Sequence, residues 1–401
     1  MSLKSIRKKT NDWIRFLCYK AEHPKTDKER LVIYDDTFPC LLSPFRITEF
    51  NAYLGHFDNS VVYSSFGRFR EEKKKYRTLY PQYASRIFKF NKFIDFSGKL
   101  AYIVFLHNTY EFLPYIEKYK VPFVFELYPG GFFRLDNKVS DSRLKRILSS
   151  PYFRKVIVTQ KISYEYLIQK KLCKPDQIEF VYGVVLPIHW YMRNRKQKKY
   201  YPDDKASFDI CFVANKYLPE GRDKGYDVFI EAAKILKKKN KDVKFHVVGN
   251  FDRTDMDVTA IDRDIYFYGS RHTRFFPDFY SHMDIILSPN KPFLLEQGAF
   301  DGFPTGCCIE AGICGVAIFA TDILNLNCSF ADGEDIVIIN TLVDEIVDKI
   351  TYYHDNPKRL YELAKKGTIA IQEMFDEDKQ IGARLKVING YMKLTGGVGH
   401  G

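Results

Sequence analysis

Short apolar runs alternate with helical stretches along nearly the whole chain, and the alternation is interrupted only once. Residues 31–34, 100–107, 122–127 and 156–159 read as buried strands, with helical patterns such as 111–119 and 162–170 between them. A polar stretch at 192–207, rich in Arg, Lys, Tyr and Asp, breaks the pattern. It then restarts with strands at 208–213, 243–248, 264–268, 285–288, 316–320 and 336–339 and a helix at 225–238. Strand, helix and strand at this spacing predict parallel sheets covered by helices on both faces. The expected fold class is therefore α/β, and 401 residues leave room for two such units.

The densest chemistry lies between Asp301 and Gly312 and runs on through Gly315 to Thr321-Asp322. It reads as a loop, a short helix, a glycine stop and an apolar strand. Two carboxylates, Asp301 and Glu310, flank a turn made of Gly302, Phe303, Pro304, Thr305 and Gly306. Free N–H groups where a helix opens face an anion, and the helix dipole favours it. Small residues at Gly306, Ala311 and Gly312 let a ligand approach closely. Carboxylates that hold hydroxyls, beside amides that hold phosphate, make a seat for a nucleotide-sugar.

This text resembles the Glu-x7-Glu region of retaining glycosyltransferases of the GT-B fold, in particular family 4, the group 1 glycosyl transferases. There a Glu-Gly-Phe-Gly/Pro stretch leads to Glu-Ala-Met and then to Gly-x-Pro-Val-Val-Ala-Thr-Asp. The chain departs from the pattern in its first acid, which is Asp301 and lies nine residues before Glu310. The resemblance implies two Rossmann-like domains with parallel sheets facing a central cleft. The expected division is an N-terminal acceptor-binding domain over 1–191, a nucleotide-sugar-binding domain over 192–375, and a helix over 376–401 that crosses back to the first domain.

The same resemblance assigns roles. Lys224, at the start of a helix, and Lys216, after a strand, take the places of the two basic residues that contact the donor diphosphate, and Arg222 competes for the second place. Gly249 and Asn250 stand where relatives place Gly-x-Gly near the nucleotide, and Arg271 stacks on or bonds to the base. Asp301, Glu310 and Lys224 form the implied catalytic set, with Phe303, Pro304, Thr305 and Gly306 in the donor loop. On the acceptor side, Tyr128 occupies the place of a family histidine and is followed by Gly130 and Gly131. His107 and Arg46 are further cleft candidates. In retaining transfer of this kind the leaving diphosphate takes the acceptor proton on the face that the acceptor attacks. The protein then stabilises charge by preorganisation.

No cofactor and no metal is expected. The strings Asp255-Met256-Asp257 and Asp262-Arg263-Asp264 sit in a polar loop, and Lys224, Lys216 and helix amides replace a cation at the diphosphate. Eight cysteines without a CxxC pair or Cys/His metal spacing read as reduced thiols of a cytosolic protein.

Charge is uneven. Residues 1–190 hold 33 Lys and Arg against 19 Asp and Glu, whereas residues 191–401 hold 29 against 31, so the basic excess belongs to the first half. Such an asymmetry turns the first half toward an anionic surface or substrate. Residues 68–92, with nine basic residues and six aromatics, and residues 4–20, with Trp13 and Phe16, resemble a peripheral surface for anionic lipid. No RRM, KH or zinc-finger text points to nucleic acid. The expected protein is a retaining, metal-independent glycosyltransferase that moves a sugar from a nucleotide-sugar to a saccharide or lipid-linked saccharide in cell-surface glycan synthesis. Its expected place is cytoplasmic, peripheral on the inner face of the membrane. The alternatives are a nucleotide-sugar epimerase of the same fold and a non-catalytic membrane- or polyanion-binding protein.

Overall fold

The computed structural model describes residues 27–393 apart from residue 94. The first sheet contains β1 (Leu31–Asp35), β2 (Val61–Ser64), β3 (Ile87–Lys89), β4 (Leu100–Val104), β5 (Phe123–Leu127), β6 (Phe153–Val158) and β7 (Ile178–Phe180). Its order is β3-β2-β1-β4-β5-β6-β7, and every neighbouring pair is parallel. The second contains β8 (Phe208–Val213), β9 (Val243–Val248), β10 (Ile265–Phe267), β11 (Ile285–Ser288), β12 (Ala317–Thr321) and β13 (Val337–Ile339). Its order is β10-β9-β8-β11-β12-β13, again parallel throughout. Strands covered by helices on both faces read as near-continuous apolar runs. Accordingly β1, β4, β5 and β12 are buried end to end.

Both sheets reverse their strand order at the first strand of the unit, between β1 and β4 and between β8 and β11. Ligands gather at such switch points, outside the carboxyl ends of the strands. Two glycines bring backbone close together there. Gly225 has φ +70°, and a Cβ on it would meet the Pro289 carbonyl oxygen at 1.9 Å. Gly249 has φ +138°, and its Cβ would meet the Ala214 oxygen at 1.8 Å. Neither position has room for a side chain.

Three differences from the sequence reading are local. The strand expected over 100–107 ends at Val104, because Phe105 turns the chain with φ +75° and the helix Leu106–Tyr119 begins at once. His107 therefore stands in the first turn of a helix. The strands β2, β3 and β7, four, three and three residues long, are absent from the strands expected from sequence. In the stretch expected to be irregular, the first residues belong to the short helix Ile188–Asn194.

The last helix, Glu377–Lys393, returns to the first sheet. Arg384 Nη2 lies 2.6 Å from Glu126 Oε1 of β5, and neither side chain reaches solvent. Tyr128 Oη accepts a bond from Arg384 Nη2 at 3.1 Å, and the Tyr102 hydroxyl lies within hydrogen-bond reach of both Glu126 and Glu49. Burial and the neighbouring Glu126 charge push the Glu49 carboxyl up to about 8.

Among residues 68–92, Phe69 and Tyr76 are buried and Phe88 and Phe90 pack against the core. What the helix Phe69–Leu79 shows to solvent is charge, notably Arg70, Lys74 and Arg77, without an apolar stripe. The other stretch read as a lipid-facing surface, residues 4–20, lies outside the described residues. No helix among the described residues is long and apolar enough to cross a membrane.

Candidate functional site

The carboxyl ends of the two sheets face one cleft, which has two lobes meeting at Lys224 and Asp301. The first lobe, about 470 Å3, lies mainly against the second domain and is lined there by Lys224, Gly249, Arg271, Asn290, Asp301 and Glu310. The second lobe, about 670 Å3, lies mainly against the first domain and includes Arg46, His107, Asn108, Gly130 and Gly131.

The junction is a charge cluster. Lys224 Nζ lies 2.6 Å from Asp301 Oδ2, and Asn290 Nδ2 donates to the same oxygen at 3.0 Å. Burial works against the Lys224 ammonium, but the adjacent Asp301 carboxylate outweighs it and holds the pKa above the ordinary lysine value. The ammonium is thus charged and fixed at the boundary of the lobes. Asn290 follows Ser288-Pro289 at the end of β11. Its place at the carboxyl end of a parallel strand was the only sequence signal available for it.

The helix Gly306–Ile313 opens onto the first lobe. Thr305 caps it in an extended conformation, and its carbonyl accepts from Cys308 and Ile309. The Gly306 and Cys307 amides precede the first helical bond, and both residues line the lobe. Pro304 and Thr305 line the lobe, whereas Phe303 is turned into the core, its carbonyl bound by Tyr182 and its amide by Gln160.

Glu310 sits one turn further along. Its side chain is 5% exposed and lines the lobe, and Oε1 has no hydrogen-bond partner among the described residues. Burial, and then the neighbouring Cys307, pushes its carboxyl up to about 8. The Tyr191 hydroxyl is a neighbour that offsets part of the shift, yet it too lacks a partner of bonding geometry. A buried acceptor without a donor costs on the order of 1–3 kcal/mol. Ligand hydroxyls entering the lobe would remove that penalty.

Several sequence candidates lie elsewhere. Lys216 is held by Asp255, and its backbone is locked to Asn250 by two hydrogen bonds. Neither residue is in the lobe wall. Arg222 is exposed and paired with Glu220 at 2.5 Å. The loop between β8 and the next helix folds as a 3-10 turn over Pro219–Lys224, which carries Lys224 inward and leaves Arg222 outside. Gly249 and Arg271 do line the first lobe, and the Arg271 guanidinium lies 5.2 Å over the Phe275 ring.

On the other side, Arg46 lines the second lobe with its guanidinium tied to Asp35 at 2.9 Å. His107 Nε2 is 3.3 Å from Glu111, while its buried Nδ1 is unpartnered among the described residues. Gly130 and Gly131 have φ +83° and +54°, and Gly131 packs against the Phe105 side chain. Tyr128 presents its ring to the first lobe, but its hydroxyl points away into the Arg384–Glu49 network. Sequence reasoning missed Asn108 and Asp223, which line the second lobe, and Gln160, which fixes the donor loop.

The Asp-x-Asp strings serve local structure. Asp255 pairs with Lys216, Asp257 caps Thr259, Asp262 pairs with Arg253 and Asp264 with Lys237. Among the described residues one group has metal-ligand spacing, His189 with Asp376 and Asp378, where the last helix starts and away from both lobes.

Residues 207–356 match a family model described as glycosyl transferases group 1. No curated protein matches the chain significantly in sequence. Among solved structures, Anabaena HepE in complex with UDP is similar at TM-score 0.67 and 15% identity, covering 90% of this chain and 99% of that one. HepE in complex with UDP-glucose gives 0.64 and 15%, over 90% and 99%. Sucrose-phosphate synthase from Thermosynechococcus elongatus gives 0.60 and 12%, over 90% and 98%. Two Rossmann-like parallel sheets facing one cleft, aligned over nearly the full length of these structures, give this chain the GT-B fold, with its group 1 glycosyl transferase match in the second domain.

Proposed function

We propose that the protein is a retaining glycosyltransferase that takes a sugar from a nucleoside diphosphate sugar and passes it to a saccharide or lipid-linked saccharide in cell-surface glycan synthesis. The observation that carries this reading is the first lobe. A buried, unpartnered carboxyl group (Glu310), the two residues that open a helix (Gly306 and Cys307) and a fixed ammonium (Lys224) line one space of nucleotide size. Glu310 accepts the ribose hydroxyls, the amides and Lys224 hold the diphosphate, and Arg271 lies against the base. Asp301, held by Lys224 and Asn290, reaches the sugar at the junction of the lobes. Uridine is the first base to try, because HepE was solved with UDP and with UDP-glucose.

In the proposed reaction the bond between the anomeric carbon and the diphosphate oxygen breaks, and an acceptor hydroxyl oxygen bonds to that carbon on the same face. The hydroxyl proton goes to the departing diphosphate. No side chain has to act as base, which accords with Tyr128 having its hydroxyl engaged with Arg384. Lys224 stabilises the growing negative charge from a fixed position, so little reorganisation is needed at the transition state. No metal is assigned a step.

The test is a thermal-shift panel of UDP, GDP, dTDP, ADP and CMP on the full chain. One nucleotide should raise the melting temperature, and Lys224→Ala and Glu310→Ala should abolish the rise. A folded protein that responds to none of the five would overturn the reading. A transfer product with inverted anomeric configuration would refute retention alone.

A further inference from the structure

The second lobe has an interior and a rim of opposite character. Two of the residues that line it are more than nine-tenths buried and carry acceptor atoms with no donor among the described residues. Asn108 is 1% exposed, and its amide nitrogen is held by Asp35, Asp36 and the Val104 carbonyl at 3.3, 3.2 and 3.0 Å. That grip fixes the amide orientation and leaves Oδ1 as a buried orphan. Asp223 is 4% exposed; Oδ1 accepts from the Leu218 amide at 3.3 Å, while Oδ2 has no hydrogen bond and lies 3.7 Å from Lys224 Nζ. Two acceptors in want of donors call for a ligand that brings O–H groups.

The lobe's cations do not redirect it toward a free anion. Arg46 is tied to Asp35, Arg134 to Glu296 and Lys291 to Asp227. Hydroxyls, rather than a phosphate or carboxylate, fit what remains unpaired.

The rim is apolar. Leu42, Phe132, Tyr217 and Leu295 come from four different loops, all line this lobe, and stand 50%, 49%, 61% and 42% exposed. Phe293 and Leu294, next to Leu295, are exposed as well. Scattered surface hydrophobics need no explanation, but four lining one polar cavity, two of them (Leu42 and Tyr217) where it joins the first lobe, mark a binding surface.

We infer that the second lobe takes an amphiphilic acceptor, a glycoside whose hydroxylated head reaches Asn108 and Asp223 and whose alkyl chain lies on the Leu42–Phe132–Tyr217–Leu295 rim. This rests on the glycosyltransferase reading and narrows its acceptor from any saccharide to a lipid-linked one. A free oligosaccharide would use the orphan acceptors and leave the rim bare. The exposed apolar residues and the orphan acceptors line one cavity, and a glycolipid answers both.

The test compares octyl β-D-glucopyranoside, below its micelle concentration, with methyl β-D-glucopyranoside, on the full chain saturated with UDP. Burying several methylenes on the rim should make the octyl glycoside bind about 10-fold or more tightly. Leu295→Asp should remove most of that advantage, and Asn108→Ala should weaken both glycosides by about 5- to 10-fold. UDP binding to each variant reports that it is folded. Equal affinities for the two glycosides, or an advantage that survives Leu295→Asp, would overturn the inference, as would failure of both glycosides to bind. Should UDP itself not bind the wild-type chain, the glycosyltransferase reading falls instead.

Discussion

The two lobes of the cleft are assembled from the same kinds of residue but leave opposite groups free. In the first, Lys224, Asp301 and Asn290 are clamped together at the boundary, and the unsatisfied group is the acid Glu310. In the second, the charges Arg46, Arg134 and Lys291 are already neutralised by acids, and the principal orphans are the Asn108 and Asp223 oxygens. The first lobe is built to recognise a ligand that carries both hydroxyls and phosphate. The second is built for hydroxyls alone, beneath an apolar mouth. A polar cleft is therefore read better from the groups it leaves unpaired than from the groups it contains.

The largest expected effect tests whether the first domain depends on its seal to the last helix. Arg384→Met should destabilise the chain by about 3–5 kcal/mol, because it strands the Glu126 carboxylate in the core. Chemical denaturation measures it, and a loss under about 1 kcal/mol would show that the network is not closed. Next comes the junction. Lys224→Ala should weaken UDP binding by about 1.5–3 kcal/mol, the range for hydrogen bonds to charged groups. Calorimetry would move the phosphate site elsewhere if the affinity were unchanged.

The pH dependence of stability separates the buried acids. Burial raises the Glu310 carboxyl from 4.5 to about 8, so the folded protein keeps a proton that the unfolded chain releases above 4.5. That contribution is fully present below about pH 4.5 and is lost as the pH rises through 8. Glu49, raised to about 8 as well, acts in the same direction in the first domain. Glu310→Gln should therefore flatten, but not abolish, the fall in melting temperature between pH 5 and pH 8. A profile that matches wild type would mean that Glu310 is already ionised in the empty lobe.

The smallest effect is expected at Lys216, which faces Asp255 outside the lobe wall. Lys216→Ala should change UDP affinity by no more than about 0.5 kcal/mol. A loss as large as that of Lys224→Ala would put the site nearer the β8 loop.

The second domain was the more legible in sequence. Its strands β8, β9 and β11 begin and end where the apolar runs do, because each lies between two helix layers and is buried over most of its length. The first domain hid β2, β3 and β7, short strands toward the margins of its sheet. Its aromatics at 69, 76, 88 and 90 read as a lipid face because the sequence does not reveal which side of a helix or strand turns inward. In the cleft, positions fixed by a strand end or helix start were found, as with Lys224, Gly249 and Glu310. Positions fixed by a loop's three-dimensional path were not. Lys216 precedes and Arg222 lies within a 3-10 turn that brings Lys224 in and leaves both of them out, and Asn108 and Asp223 acquire meaning only from what fails to bond to them.

The most direct test of the central claim is calorimetric titration of UDP into the wild-type chain and Glu310→Ala at pH 7.5. If Glu310 receives the ribose hydroxyls, the substitution should lower the affinity by about 10- to 100-fold while Lys216→Ala leaves it intact. Equal affinity in wild type and Glu310→Ala would contradict the account, because the unpartnered Glu310 carboxyl in the first lobe would then not be the nucleotide's seat.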